Sequence, residues 1–207
     1  MEILDISPPL TPAIDVWPGD VPFSRAVSLS IEAGANIDLS AVTSSLHLGA
    51  HTDAPSHYGK GAPGIGERPL DRYYGPCEVI QVDVARHERI RPHHLPAPPS
   101  VDRVLFRTGT FPDPDAWNED FASLSAELVD FLAERGVRLV GIDTPSIDLQ
   151  EDKVLESHQA VLRADMAILE GVVLDAVEPG IYTLIALPLR IPGADASPVR
   201  AVLVRPR

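Results

Sequence analysis

The sequence predicts a mixed α/β fold with more strand than helix, and three observations predict it. Short apolar runs of period two, punctuated by proline and glycine, fill the first half. A strand–helix–strand pattern occupies the middle, and three strand-like runs follow one short helical stretch toward the C-terminus. Two sheets, with helices covering one of them, would accommodate this order.

Taken in order, Val27–Ile31 and Ile37–Val42 alternate apolar with polar residues, which predicts two half-buried strands. Gly75-Pro76 predicts a turn, with a strand after it over Glu78–Val84. Val101–Arg107 reads as a strand. Ser125 is placed to cap a helix, with Glu127 in its first turn where the helix dipole favours an anion. Leu128, Phe131 and Leu132 recur at helical spacing, and Gly136 stands where a left-handed residue ends such a helix. Val137–Ile142 is nearly continuous in apolar residues, as in a strand covered on both faces. The unit predicts a parallel pair joined by a right-handed crossover. A short helix near Glu156–Ala164 and strands over Met166–Leu169, Ile181–Leu187 and Val199–Val204 complete the reading.

The 207 residues show no repeat, low-complexity tract or linker, so one domain over residues 1–207 is expected. Hydrophobic residues at 44% and charged residues at 23% match a globular protein that builds its own core. Seventeen Lys plus Arg against 30 Asp plus Glu give a net charge of −13. Such a surface repels phosphate backbones and anionic lipid, so neither nucleic acid nor membrane is the expected partner. No window approaches the ~20 apolar residues of a membrane span. Glu2, Asp5 and Pro8-Pro9 come too early for a secretory leader. Cys77, the lone cysteine, excludes an intramolecular disulfide and any multi-cysteine metal site; it reads as a packed small residue in a reducing, cytoplasmic setting.

The chemistry concentrates in His47-Leu48-Gly49-Ala50-His51-Thr52-Asp53-Ala54-Pro55-Ser56-His57. Three histidines and one aspartate occupy positions i, i+4, i+6 and i+10, and imidazole with carboxylate is the donor set that suits zinc and similar divalent ions. Gly49 and Pro55 make the segment a poor helix. The even spacings put all four groups on one face of an extended chain, but a straight strand would spread them over ~33 Å. The chain must therefore bend, at Gly49 and at the Ala54-Pro55 step. Small neighbours leave room for a ligand. His87, His93 and His94, in the charged stretch Arg86–His94, read as solvated loop residues. No Gly-x-Ser-x-Gly elbow occurs, which disfavours a serine hydrolase.

The segment resembles the His-x-Gly-x-His-x-Asp-x-Pro-x-His signature of the metal-dependent cyclase-like hydrolases, and within them the bacterial kynurenine formamidases. Asp5–Leu10, Val16–Asp20, Gly75–Cys77, Asp143–Ser146, Ile168–Gly171 and Ala186–Leu189 extend the similarity along nearly the whole chain. The resemblance implies a swivelling β/β/α domain with mixed sheets and few helices, assembled as a homodimer. It implies two divalent ions per subunit, zinc by family habit, held by His47, His51, Asp53, His158 and Glu170, with Asp53 and Glu170 touching both. It implies His57 as proton donor and acceptor and Trp17 as a lining of the substrate pocket, although a proline-flanked core tryptophan is the competing reading of Trp17. The activity implied is hydrolysis of N-formyl-L-kynurenine to L-kynurenine and formate in tryptophan catabolism. The alternatives are opening of a cyclic amide such as isatin or of a lactone, or a metal-binding module without catalysis. Outside the resemblance, His158 would pass as an exposed residue on a short amphipathic helix. Glu170 interrupts an apolar strand, where a buried acid needs a partner.

Overall fold

The computed structural model describes residues 2–205. Among them the chain forms β1 (Glu2–Asp5), β2 (Ser24–Leu29), β3 (Leu39–Thr43), β4 (His51–Asp53), α1 (Pro55–Tyr58), β5 (Tyr74–Gln81), β6 (Arg89–Ile90), β7 (Arg103–Arg107) and β8 (Ser123–Leu124). It continues through α2 (Ala126–Ala133), β9 (Leu139–Ile142), α3 (Glu156–Arg163), β10 (Ala167–Leu169), β11 (Gly180–Ile185), β12 (Ala196–Pro198) and β13 (Val202–Arg205). This is the mixed α/β fold with few helices that the sequence predicts.

Seven strands make one sheet in the order β1-β13-β11-β5-β7-β9-β10. The β5, β7, β9 and β10 half is parallel, and β11, β13 and β1 are antiparallel. Alternation along the parallel strands sorts their side chains into two cores. Val104, Phe106, Val140, Ile142 and Ile168 face one way, against α2 and α3. Val79, Leu105, Leu139, Ala167 and Leu169 face the other, against Ile6, Ala50, Ala54, Val172 and Leu174. In place of a second large sheet stand three two-stranded ribbons, β12–β4, β2–β3 and β6–β8.

The helix expectations hold in detail. The Ser125 hydroxyl accepts the Leu128 amide at 3.1 Å, capping α2. Gly136 has φ +80° just beyond the helix, and the Val137 amide returns to the Leu132 carbonyl. The following strand pairs parallel to β7.

Several expectations are corrected. β2 and β3 form where the alternation places strands, yet every residue of both is exposed, because nothing among the described residues covers either face. Gly75-Pro76 is not a turn but strand interior paired to β11; Pro76 lies before the parallel pairing to β7 begins at Glu78, so its missing N–H costs no ladder bond on that side. The segment is extended up to Ala54 as expected, and Pro55 then opens the one-turn helix α1, where an absent N–H is harmless. His158 is buried, not exposed. Arg86–His94 is not all solvated loop: His87 and His93 are exposed, but Arg89 in β6 turns inward to Asp148 and Asp152, and His94 is half-buried with its Nδ1 accepting the Arg91 amide. Cys77 is fully buried, as expected, and burial pushes its thiol up, which makes it unreactive.

The loops leaving the carboxyl ends of β7, β9 and β10 converge, as ligand-binding loops do in sheets with a parallel core. They contribute Phe111 and Trp117, Asp143 and Ser146, and Glu170 to Asp175 to the lining of one cavity of about 430 Å³.

Candidate metal centre

β4 carries the centre into this cavity. It pairs antiparallel with β12, and His51 and Glu170 exchange backbone hydrogen bonds in an isolated bridge, N to O at 3.1 and 2.9 Å. That bridge brings residues 119 positions apart in sequence into contact. Two glycines allow it. Gly49 has φ +57°, which supplies the bend that the sequence requires there, and Gly171 has φ +64°. A Cβ on Gly171 would lie 2.2 Å from the Gly49 carbonyl oxygen.

His51, Asp53, His158 and Glu170 are each at most 3% exposed. Asp53 divides its two oxygens. Its Oδ1 lies 3.0 Å from His47 Nδ1 and 3.6 Å from His51 Nε2, while its Oδ2 lies 3.4 Å from His158 Nε2. Glu170 also reaches both sides, with Oε2 3.1 Å from His51 Nε2 and Oε1 3.7 Å from His158 Nε2. Two donor groups result, His47/His51/Asp53 and Asp53/His158/Glu170, with the ligating atoms in each within 4.8 Å of one another.

The donors fit divalent cations. Both Asp53 oxygens are buried without a hydrogen-bond donor of acceptable geometry among the described residues, a costly state unless a cation faces them. Each inner imidazole is anchored by its far nitrogen: His51 Nδ1 on the Gly49 carbonyl at 2.9 Å, His158 Nδ1 on Asp148 Oδ2 at 2.8 Å. The nitrogens left free, both Nε2, point at the carboxylates, the arrangement that prepares histidines as ligands.

Electrostatics agree. Burial disfavours the charged form of His47, but Asp53 and Asp195 outweigh it and hold the imidazole up to about 9. Burial is likewise overcome at His158, where Asp148 and Asp53 raise it to about 10. Burial would raise Asp53, yet the facing His158 and His47 keep it well below the usual carboxylate range. Protons drawn to the imidazoles stand where cations would, and ion binding would release them.

His57, on α1, lies at the rim with its side chain 37% exposed and its ring 4.3 Å from that of His47. It is outside both three-residue groups that include Asp53, and forms a third, more exposed group with His47 and Asp195. Partial burial pushes its imidazole down, against an opposing pull from Asp53. Trp17 is half-buried at the cavity wall, edge-on to Trp117 at 5.5 Å and Phe121 at 6.3 Å. It is therefore neither a buried core residue nor a surface one.

The family signature, the buried divided carboxylate and the fold agree with comparison to known proteins. Residues 4–149 match the Cyclase family, described as "Putative cyclase". The chain belongs to this family. A structure described as a "potential metal-dependent hydrolase with cyclase activity" superposes with a TM-score of 0.83 at 26% identity, over 100% of this chain and 99% of the other. A "predicted metal-dependent hydrolase" from Bacillus stearothermophilus gives 0.82 and 26% over 98% and 97%. Isatin hydrolase A from Labrenzia aggregata, bound to benzyl benzoate, gives 0.81 and 26% over 98% and 93%. The family is one of cyclase-like metal-dependent hydrolases, and no helix in the described residues is long and apolar enough to cross a membrane.

Sequence reading missed two residues of the centre. Asp148 accepts the Ser157 and His158 amides as well as the His158 ring. Asp195 accepts from His47 Nε2 at 3.0 Å. The only signal for Asp148 is an acid between two apolar residues, Ile147 and Leu149; for Asp195 it is a setting of small residues, Ala194 and Ala196.

Proposed function

We propose that the protein hydrolyses N-formyl-L-kynurenine to L-kynurenine and formate, in the cytoplasm and as a homodimer, with two zinc-type divalent ions per subunit. The observation that carries this reading is the buried Asp53, whose two oxygens lack a well-aligned hydrogen bond and are shared between two imidazole–carboxylate groups. His47, His51 and Asp53 would hold one ion, and Asp53, His158 and Glu170 the other. When bound, such ions polarise a carbonyl and lower the pKa of a water toward ~7.

The chain's own side chains do the rest. His57 stands beside the centre, close to neutral in type, and is placed to take a proton from the attacking water and return it to the departing arylamine nitrogen. Trp17, Phe111 and Trp117 offer flat apolar walls to an aryl ring, worth ~0.5–1.5 kcal/mol beyond burial. The lining holds Asp15, Asp20 and Asp175 but no lysine or arginine, which favours a substrate carrying an ammonium group.

A second reading, opening of a cyclic amide such as isatin, is favoured by the likeness to isatin hydrolase A. Side-by-side turnover of N-formylkynurenine and isatin, with and without chelator, tests both. Formate release that stops on chelation and returns with zinc is expected. Turnover of isatin alone selects the second reading, and activity surviving complete stripping overturns metal dependence.

A further inference from the structure

Asp195 touches the centre from the bend just before β12, which neither the sequence signature nor the matched segment includes. We infer that Asp195 is a positioning residue, holding His47 with its Nδ1 turned to Asp53 and keeping His57 at the cavity rim; this rests on the reading of His47 as a metal ligand.

The His47 ring spans two carboxylates, with Nδ1 3.0 Å from Asp53 Oδ1 and Nε2 3.0 Å from Asp195 Oδ2. With a cation bound beside Asp53, a proton kept on Nε2 and donated to Asp195 would leave the Nδ1 lone pair for that cation. His51 and His158 are fixed in the same way, by the Gly49 carbonyl and by Asp148, so Asp195 completes the set of outer anchors. His47 needs this anchor most, because its side chain is 19% exposed whereas those of His51 and His158 are nearly enclosed. The same Asp195 oxygen lies 3.8 Å from His57 Nδ1, within reach of the second imidazole.

Asp195 is itself held by backbone. Its carbonyl accepts the Ala54 amide at 2.8 Å, and the next residue, Ala196, pairs with Asp53 across the β12–β4 ribbon. The ribbon that carries the inner ligands therefore also fixes the position of the outer carboxylate. These contacts survive replacement of the side chain, which is 52% exposed and makes no other side-chain hydrogen bond in the described residues than that to His47.

Zinc titration of the metal-stripped full chain against a competing chromophoric chelator tests the inference, alongside melting of the stripped protein. Wild-type protein is expected to take up two ions. Asp195→Ala is expected to weaken one of them about 10–100-fold, to leave the other unchanged, and to melt like wild type when stripped. Asp195→Asn, which keeps an acceptor oxygen, should restore part of the lost affinity. In the loaded enzyme Asp195→Ala should lower kcat with KM held and displace the pH–rate profile. Two ions bound by Asp195→Ala as tightly as by wild type would overturn the inference. So would a parallel loss at both sites with a lowered melting temperature, which marks a structural role. Wild type that binds no zinc overturns the metal reading instead.

Discussion

His57 and His51 are six residues apart, yet their surroundings assign them different work. His51 is enclosed, anchored through Nδ1 and aimed at two carboxylates. His57 is solvent-reachable, lacks a buried carboxylate partner and faces the open cavity. A side chain that must exchange protons with substrate has to be reachable from the open cavity, while one that grips a cation gains from rigidity and exclusion of water. His57→Ala is therefore expected to keep full metal content by elemental analysis while losing about 10²–10⁴-fold in kcat. Loss of an ion in that variant would make His57 a ligand. The four-group motif that suggested this division was legible in the sequence because its members sit close together on one short segment. Asp148 and Asp195 were not, because an aspartate becomes an outer anchor only through the ring nitrogen that folding places against it.

Among the elements, α3 is shaped by the centre and α2 by the sheet. The first turn of α3 is unusual: Leu155 takes φ +56°, and Asp148 and Asp152 supply the acceptors for the amides of residues 154–158. Arg89 ties these two acids to the β6–β8 ribbon. Those constraints turn His158 inward, which the amphipathic pattern of the helix did not reveal. α2 follows ordinary rules of local sequence, a serine cap, a dipole-matched acid and an apolar stripe, so its limits were readable. α2 supplies no residue to the centre and meets it only through its packing on α3, so loss of its cap should lower stability while leaving the ligands in place. Ser125→Ala should cost ~1 kcal/mol, which lowers the melting temperature by about 2–4 °C for a chain of this size. Scanning calorimetry and metal analysis check this, with zinc content expected to match wild type; lost zinc would tie α2 to the centre.

For the whole molecule, the β2–β3 ribbon is the outlying feature. Val27, Leu29, Ile31, Ile37, Leu39 and Val42 are each at least 41% exposed, and the pairing register puts Val27 and Val42 on one face and Leu29 and Leu39 on the other. A lone two-stranded ribbon is marginal in water, and apolar residues on both sides are the mark of a covered surface. That supports the proposed homodimer. Light scattering should give twice the chain mass for wild type and a monomer for Val27→Asp with Val42→Asp; a wild-type monomer at micromolar concentration would sink the proposal. What the sequence by itself determined is whatever depends on neighbours along the chain: periodicity set the strands and helices, cap chemistry ended α2, Gly49 set a bend, and a short histidine–aspartate motif marked the centre. What tertiary structure decided is whatever depends on neighbours across space. The exposure of β2 and β3, the strand interior at Gly75-Pro76, the burial of His158 and the recruitment of Glu170, Asp148 and Asp195 all follow from which surfaces meet. Local pattern fixes a residue's conformation and the side of an element it occupies, but only packing fixes what stands opposite, and both burial and ligand geometry are properties of the opposing pair.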